Sequence, residues 1–201
     1  AQCSPRQLLS GALLSGMIAM AGVPVAEDDF YRYQWDGWRT LHHGTPYGAA
    51  PAEFFGDEQL PPSAQAALDG VNYPETPTIY GPALQALFAM AWLLGENTLW
   101  PLRLLMLTLH LGALHVAMRF APRRALVWVA LNPTLFFFGF VNLHPDILLG
   151  WLLFFACVAA RQQRIAMSGA LLGVAVATKV SGLLLAPMLL AVRGIPAALR
   201  H

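Results

Sequence analysis

"GPALQALFAMAWLL", residues 81–94, is apolar almost throughout but only 14 residues long. A bilayer span needs roughly 20 apolar residues, with about 17 as a lower limit. How this stretch is read decides the side of everything after it. Taken as a span, it turns Arg119, Arg123, Arg124, Arg161 and Arg164 outward, against the positive-inside bias of membrane proteins. Taken as an interfacial or re-entrant helix on the outer face, it returns those arginines inside. Residues 26–101 then form one outer segment.

The rest of the chain supports a membrane setting. Of 201 residues, 57% are hydrophobic and 11% charged, with a mean hydropathy of +0.52. A soluble domain carries about 25% charged residues, so the composition points to an all-α, polytopic membrane protein. A net charge of +1 and the lack of a basic run exclude a nucleic-acid partner. Cys3 and Cys157 are expected to be two free thiols. Ten of the eleven acids lie between Glu27 and Glu96, a window holding only Arg32 and Arg39 of the twelve basic residues. One kind of loop is therefore long and acidic, and the others are short and basic.

About six transmembrane helices follow, in a single domain over residues 1–201. The first covers residues 7–25, unless "VPVA" before Glu27 is a signal-peptide cleavage site. Either way Arg6 lies inside and "EDD" outside. Five more spans are expected at 102–118, 125–140, 147–160, 165–178 and 182–192. A turn at Lys179 on the outer side avoids burying that cation in mid-membrane, which costs a few kcal/mol.

This topology gathers distant polar features on one face: "EDDFYRYQWDG" (27–37), Arg103, "NLHPD" (142–146) and Lys179. In a helix, Asp29, Arg32, Tyr33 and Asp36 recur at i, i+3, i+4 and i+7 and line one stripe. Plainer readings stand beside these. The rings form an aromatic belt around solvated acids, Asp146 starts a helix, and Lys179 and Arg103 snorkel. His110 and His115 are too far around a helix to share a ligand. HExxH, CxxC and Gly-rich phosphate-loop motifs are all missing.

Four stretches carry a family resemblance: "DDFYRYQWDG" (28–37), "NYPETPTIYGPALQALFA" (72–89), "NPTLFFFGFVNLHPD" (132–146) and "GALLGVAVATKVSGLLLAP" (169–187). Their order and spacing resemble the glycosyltransferase C (GT-C) superfamily, most closely its bacterial polyprenol-phosphate-mannose-dependent mannosyltransferases. The resemblance implies transfer of a hexose, mannose favoured, from a polyprenyl-phosphate sugar to an acceptor hydroxyl with inversion. It makes Asp29, or Asp28 beside it, the general base. It gives phosphate stabilisation to Lys179 and Arg103, and substrate binding to Arg32, Tyr33, Asp36, Asn142, His144 and Asp146. The implied partners are the lipid-linked donor, a glycan or lipid acceptor, and membrane lipids, and no cofactor is expected. A divalent metal stays open, since acids and His144 are suited to holding one. The implied location is a bacterial inner (plasma) membrane with the active site on its outer face. Relatives carry further helices after the sixth, so the chain is expected to be an N-terminal portion or to need a partner subunit. The competing readings are a transporter or flippase-like protein and an assembly subunit without chemistry. Acids that avoid the spans argue against transport.

Overall fold

The computed structural model describes residues 3–187, which are all-helical and contain no strand. Nine α-helices are formed among them: α1 Pro5–Met20, α2 Asp29–His43, α3 Pro62–Asp69, α4 Pro82–Leu94, α5 Trp100–Ala117, α6 Arg123–Ala130, α7 Pro133–Phe136, α8 Asp146–Arg161 and α9 Ile165–Thr178. Prolines set many of the starts, because the missing N–H is unpaired there anyway. α1 has in addition a reciprocal cap. Ser4 Oγ accepts from the Gln7 N–H at 3.2 Å, and Gln7 Oε1 accepts from the Ser4 N–H at 2.8 Å.

By length and apolarity the described residues hold one or two candidate spans where six are expected. α5, with 18 residues, is the one described helix long and apolar enough to cross a membrane. α6 together with residues 133–141 makes a second if the pair counts as one span bent by 43°. The break has a local cause. The Asn132 side chain accepts from the Thr134 N–H at 3.0 Å, and Pro133 follows it, so a new helix starts where the old one should continue. The expected first span is shortened for a different reason. α1 stops at Met20, and the Asn142 carboxamide oxygen takes the N–H groups of Val25 and Ala26 at 3.0 and 2.9 Å. α8 and α9 fill the expected segments 147–160 and 165–178. Of 182–192, the start is a 3₁₀ turn at Val180–Leu185, and residues 188–192 lie outside the described ones.

α4, the short apolar stretch, packs along α2. The contact is backbone to backbone, since a Cβ on Gly37 would sit 2.5 Å from the Phe88 carbonyl oxygen. The Tyr33 ring stacks on Phe88 at 4.6 Å. A second small core joins Trp35 and Trp38 of α2 to Ala64, Ala67 and Leu68 of α3 and to Trp92. The larger core lies between α1, α4, α5 and α8. There Trp151 Nε1 donates to His110 Nδ1 at 3.0 Å, so His110 pins α8 to α5. Cys3 and Cys157 are both free thiols.

Candidate active site

α2 begins at Asp29, where a carboxylate favours the positive end of the helix dipole. The stripe Asp29, Arg32, Tyr33, Asp36 does lie on this helix, but it faces inward. Arg32, Tyr33 and Asp36 are 6%, 1% and 1% exposed, so the middle of the stripe does not meet solvent. Arg32 donates to the carbonyls of Thr76, Tyr73 and Asn72 at 2.8, 2.9 and 3.2 Å, which fixes the turn leading to Tyr80. Asp36 accepts hydrogen bonds from Thr78 Oγ1 and, at 3.0 Å, from Gln85 Nε2. Burial pushes its carboxyl up to about 6, although the bonds from Thr78 and Gln85 and the charges of Arg32 and Arg39 pull the other way.

Only the first carboxylates of the stretch stay open. Asp28 is exposed and Asp29 half-buried. The Asn72 side-chain amide donates to both, reaching Asp29 Oδ1 at 3.1 Å. The Tyr80 hydroxyl donates to Asp29 Oδ2 at 2.9 Å. Burial first, and then the charge and hydrogen bond of Asp29, push the Tyr80 phenol well above its ordinary range, so it stays protonated as a donor. Burial, the adjoining Tyr80 and the carboxylates of Asp29 and Asp146 raise Tyr33 further.

The second half of the site comes from the other end of the chain. Residues 137–141 wind as a wide π turn, closed by the Asn142 N–H on the Phe137 carbonyl at 3.0 Å. Leu143 then takes a positive φ of 62°, a strained setting for leucine, and the His144 N–H returns to the Phe138 carbonyl at 2.9 Å. His144 therefore projects beside Glu27, 3.3 Å from its Oε1, and 3.9 Å from Asp146. Asp146 Oδ1 lies 3.1 Å from Lys179 Nζ.

One backbone bond joins the halves. The Gly81 N–H donates to the Thr178 carbonyl at 2.9 Å, and a Cβ on Gly81 would lie 2.3 Å from the Ala177 oxygen. Tyr80, which holds Asp29, thus sits one residue before the junction, and Lys179 one residue after it. The contacts form two runs, one from Glu27 through His144 and Asp146 to Lys179, the other from Tyr80 to Asp29 with Asn72 bridging Asp29 to Asp28. They flank the junction and together make up one polar circuit. It holds four carboxylates, an imidazole and an ammonium, all at least partly accessible. Such a set can take a proton from a hydroxyl, hold hydroxyl groups and neutralise an anion. Among the described residues, no three His, Cys, Asp or Glu side chains are placed to share one metal ion.

Of the residues singled out in the sequence, Asp28, Asp29, His144, Asp146 and Lys179 fall in this circuit. Arg103 and Asn142 do not. Arg103 is 5% exposed and donates to the carbonyls of Met20, Gly22 and Val141 at 2.7, 2.9 and 3.1 Å, so its guanidinium ties chain ends together. Asn142 is fully buried and holds residues 25–26. Tyr33, Arg32 and Asp36 lie behind the circuit. Sequence reasoning missed Glu27, Asn72 and Tyr80 as contributors. The available signal was "NYPETPTIYGP" (72–82), a proline-punctuated run whose Asn and Tyr bracket a turn.

With this geometry in view, the comparisons place the chain. A family model described as alpha-(1->6)-mannopyranosyltransferase, N-terminal domain, matches residues 17–194. No curated protein and no solved structure matches the chain.

Proposed function

The chain belongs to the alpha-(1->6)-mannopyranosyltransferase family, and we propose that it moves mannose from a polyprenyl-phosphate donor to an acceptor hydroxyl at the outer membrane face. Asp29 is the general base, with Asp28 beside it as the alternative. The acceptor oxygen attacks the anomeric carbon as its proton passes to Asp29. The bond from that carbon to the phosphate oxygen breaks, and the lipid phosphate leaves with the electron pair. A single displacement inverts the anomeric centre. Lys179, released from Asp146, meets the charge gathering on the leaving phosphate. His144 and Asp146 orient sugar hydroxyls. Arg32, Tyr33, Asp36, Arg103 and Asn142 act one layer back, holding the segments that carry the base and the cation. The donor is already activated on its lipid, so the reaction needs no nucleotide.

The observation that supports this reading is the Gly81–Thr178 bond, which joins the segment of Tyr80, a donor to Asp29, to the segment that leads into Lys179. An apolar groove of about 350 Å³ supports the lipid donor. It is lined by Leu84, Leu87, Met90, Leu109 and Trp151 and reaches Thr178, next to Lys179. The site takes its outer position from six crossings, the shorter ones accommodated by local thinning of the bilayer.

The decisive measurement is transfer of labelled mannose from polyprenyl-phosphate mannose in membranes carrying the chain. Asp29→Asn should lower it about a thousandfold, the scale of a lost general base, with membrane insertion unchanged. A wild-type chain inert with every polyprenyl donor would sink the enzyme reading. Full activity in Asp29→Asn with loss in Asp28→Asn would move the base to Asp28. Topology is tested after replacing Cys3 and Cys157 by serine. Gly56→Cys should accept an impermeant thiol label from outside, and Gln162→Cys should resist it.

A further inference from the structure

The end of the molecule away from Asp29 carries a cleft of another chemical character. α1 and α5 run antiparallel: Arg103, early in α5, bonds the last residue of α1, whereas Cys3 and Met118 adjoin at the opposite end. There they open into a cleft of about 690 Å³ with Pro122, Arg123, Arg124 and Trp128. Arg123 reaches the Cys3 carbonyl at 3.4 Å, and the exposed Arg124 forms no ion pair among the described residues. No acid lies between Glu96 and Asp146 in the sequence, and Asp146 is committed to Lys179. The mouth is therefore a cationic site without an internal counter-ion.

Two features beside it are apolar. Trp128 stands one helical turn after Arg124, on the same face of α6, and is 79% exposed. Ala121 also lines a neighbouring groove of about 450 Å³, which runs between α6 and α8 past Leu126, Val129, Gly150 and Phe154. A basic mouth, an exposed indole and an adjoining apolar groove match an amphiphile with an anionic head. A free inorganic anion would make no use of the groove, and a zwitterionic lipid would bring an ammonium towards two guanidiniums. We propose that this cleft binds the phosphate headgroup of an anionic phospholipid, with one acyl chain in the groove between α6 and α8. Arg123 and Arg124 hold the phosphate and Trp128 packs at the glycerol level, on the face opposite the transfer site. The far part of the groove reaches Asp146 and Trp151, but headgroup binding at Arg123 and Arg124 is measured without sugar transfer and stands or falls separately from it.

The test uses the full chain purified in a neutral detergent, with retained lipid counted by native mass spectrometry. Wild type should retain dioleoyl phosphatidylglycerol in preference to dioleoyl phosphatidylcholine. The double variant Arg123→Gln/Arg124→Gln should weaken phosphatidylglycerol binding about thirtyfold, at about 1 kcal/mol per arginine near an anionic headgroup. Arg6→Gln, outside the cleft, should leave it unchanged. Gly150→Leu serves where the double variant does not fold, because a Cβ at Gly150 meets nothing within 4 Å. By filling the groove it should lower retention of the dioleoyl lipid while sparing a short-chain phosphatidylglycerol. Equal retention of the two headgroups by wild type, an equal loss in Arg6→Gln, or no effect of Gly150→Leu overturns the proposal. Complete displacement by excess inorganic phosphate also overturns it, and makes the cleft a simple anion site.

Discussion

Residues 27–96 and residues 100–178 differ in how densely they network their buried polar groups. In the outer segment, buried charge is distributed over neutral partners. Asp36 rests on Thr78 and Gln85, and Arg32 on three loop carbonyls. Along α5, α8 and α9, buried polar side chains are few, each making isolated contacts: Arg103 to carbonyls, His110 to Trp151, and Ser168 to the Ala156 carbonyl at 3.0 Å. The first region is held in shape by hydrogen bonds and the second by apolar packing. The circuit around Asp29 and Lys179 lies along their seam. A polar frame holds Asp29, and an apolar bundle carries Lys179 towards it.

The comparison can be broken first at Arg103. Arg103→Met leaves the carbonyls of Met20, Gly22 and Val141 without their donor. Bonds to a charged group contribute about 1.5–3 kcal/mol each, so even at the lower value the three give a loss of about 4.5 kcal/mol, which should appear as a lowered unfolding midpoint in detergent. A midpoint equal to wild type would mean that the guanidinium is not the tie between α1, α5 and the π turn.

Asp36 sharpens the polar half through pH. Its carboxyl keeps its proton in the fold up to about pH 6, against 3.8 as the ordinary value. Between those values the folded chain binds more protons than the unfolded one, so stability falls as pH rises from about 4 to about 6. Two units correspond to about 3 kcal/mol. Asp36→Asn should flatten that part of the stability profile. Matching slopes in variant and wild type would show that Asp36 titrates as an exposed acid.

A smaller effect is expected at Gly37, where α2 and α4 of the polar region meet backbone to backbone. Gly37→Ala forces a methyl onto the Phe88 carbonyl, and such overpacking costs about 1–3 kcal/mol. The diagnostic readout is exchange of the amides in α2 and α4, which should quicken while those of α8 do not. The mildest change is Lys179→Arg, which keeps the charge and should cost about tenfold or less in transfer rate, whereas Lys179→Gln should cost more. Equal losses would mean that geometry at this position outweighs charge.

Much of the frame was legible from periodicity and punctuation. The i, i+3, i+4, i+7 stripe placed a helix over 29–36, the length of 81–94 kept α4 out of the list of spans, and "HPD" marked the start of α8. The direction of the stripe was not legible. Arg32, Asp36 and Arg103 look like ligand-seeking charges until residues 38 to 83 positions away bring carbonyls, a hydroxyl and an amide to them. Such partners are non-local and leave no spacing to read. Asn132-Pro133 is the opposite case. Its capping chemistry was present in the sequence, but hydropathy averaged over residues 125–140 concealed it. The same averaging lengthened the first span past Met20, because Val23, Pro24 and Val25 are apolar in composition but extended in the fold.

The π turn at Phe137–Val141 has an evolutionary consequence. A wide turn holds one residue more than the α-helical register requires. Deleting that residue would leave a smooth helix and rotate everything beyond it by about 100°. Phe136 and Phe140 are buried against His110, and Trp151 must reach the same imidazole. Asn142 and His144 must face residues 25–26 and Glu27. A single lost codon here would therefore undo packing and circuit together, which makes the extra residue one that fold and site hold in common.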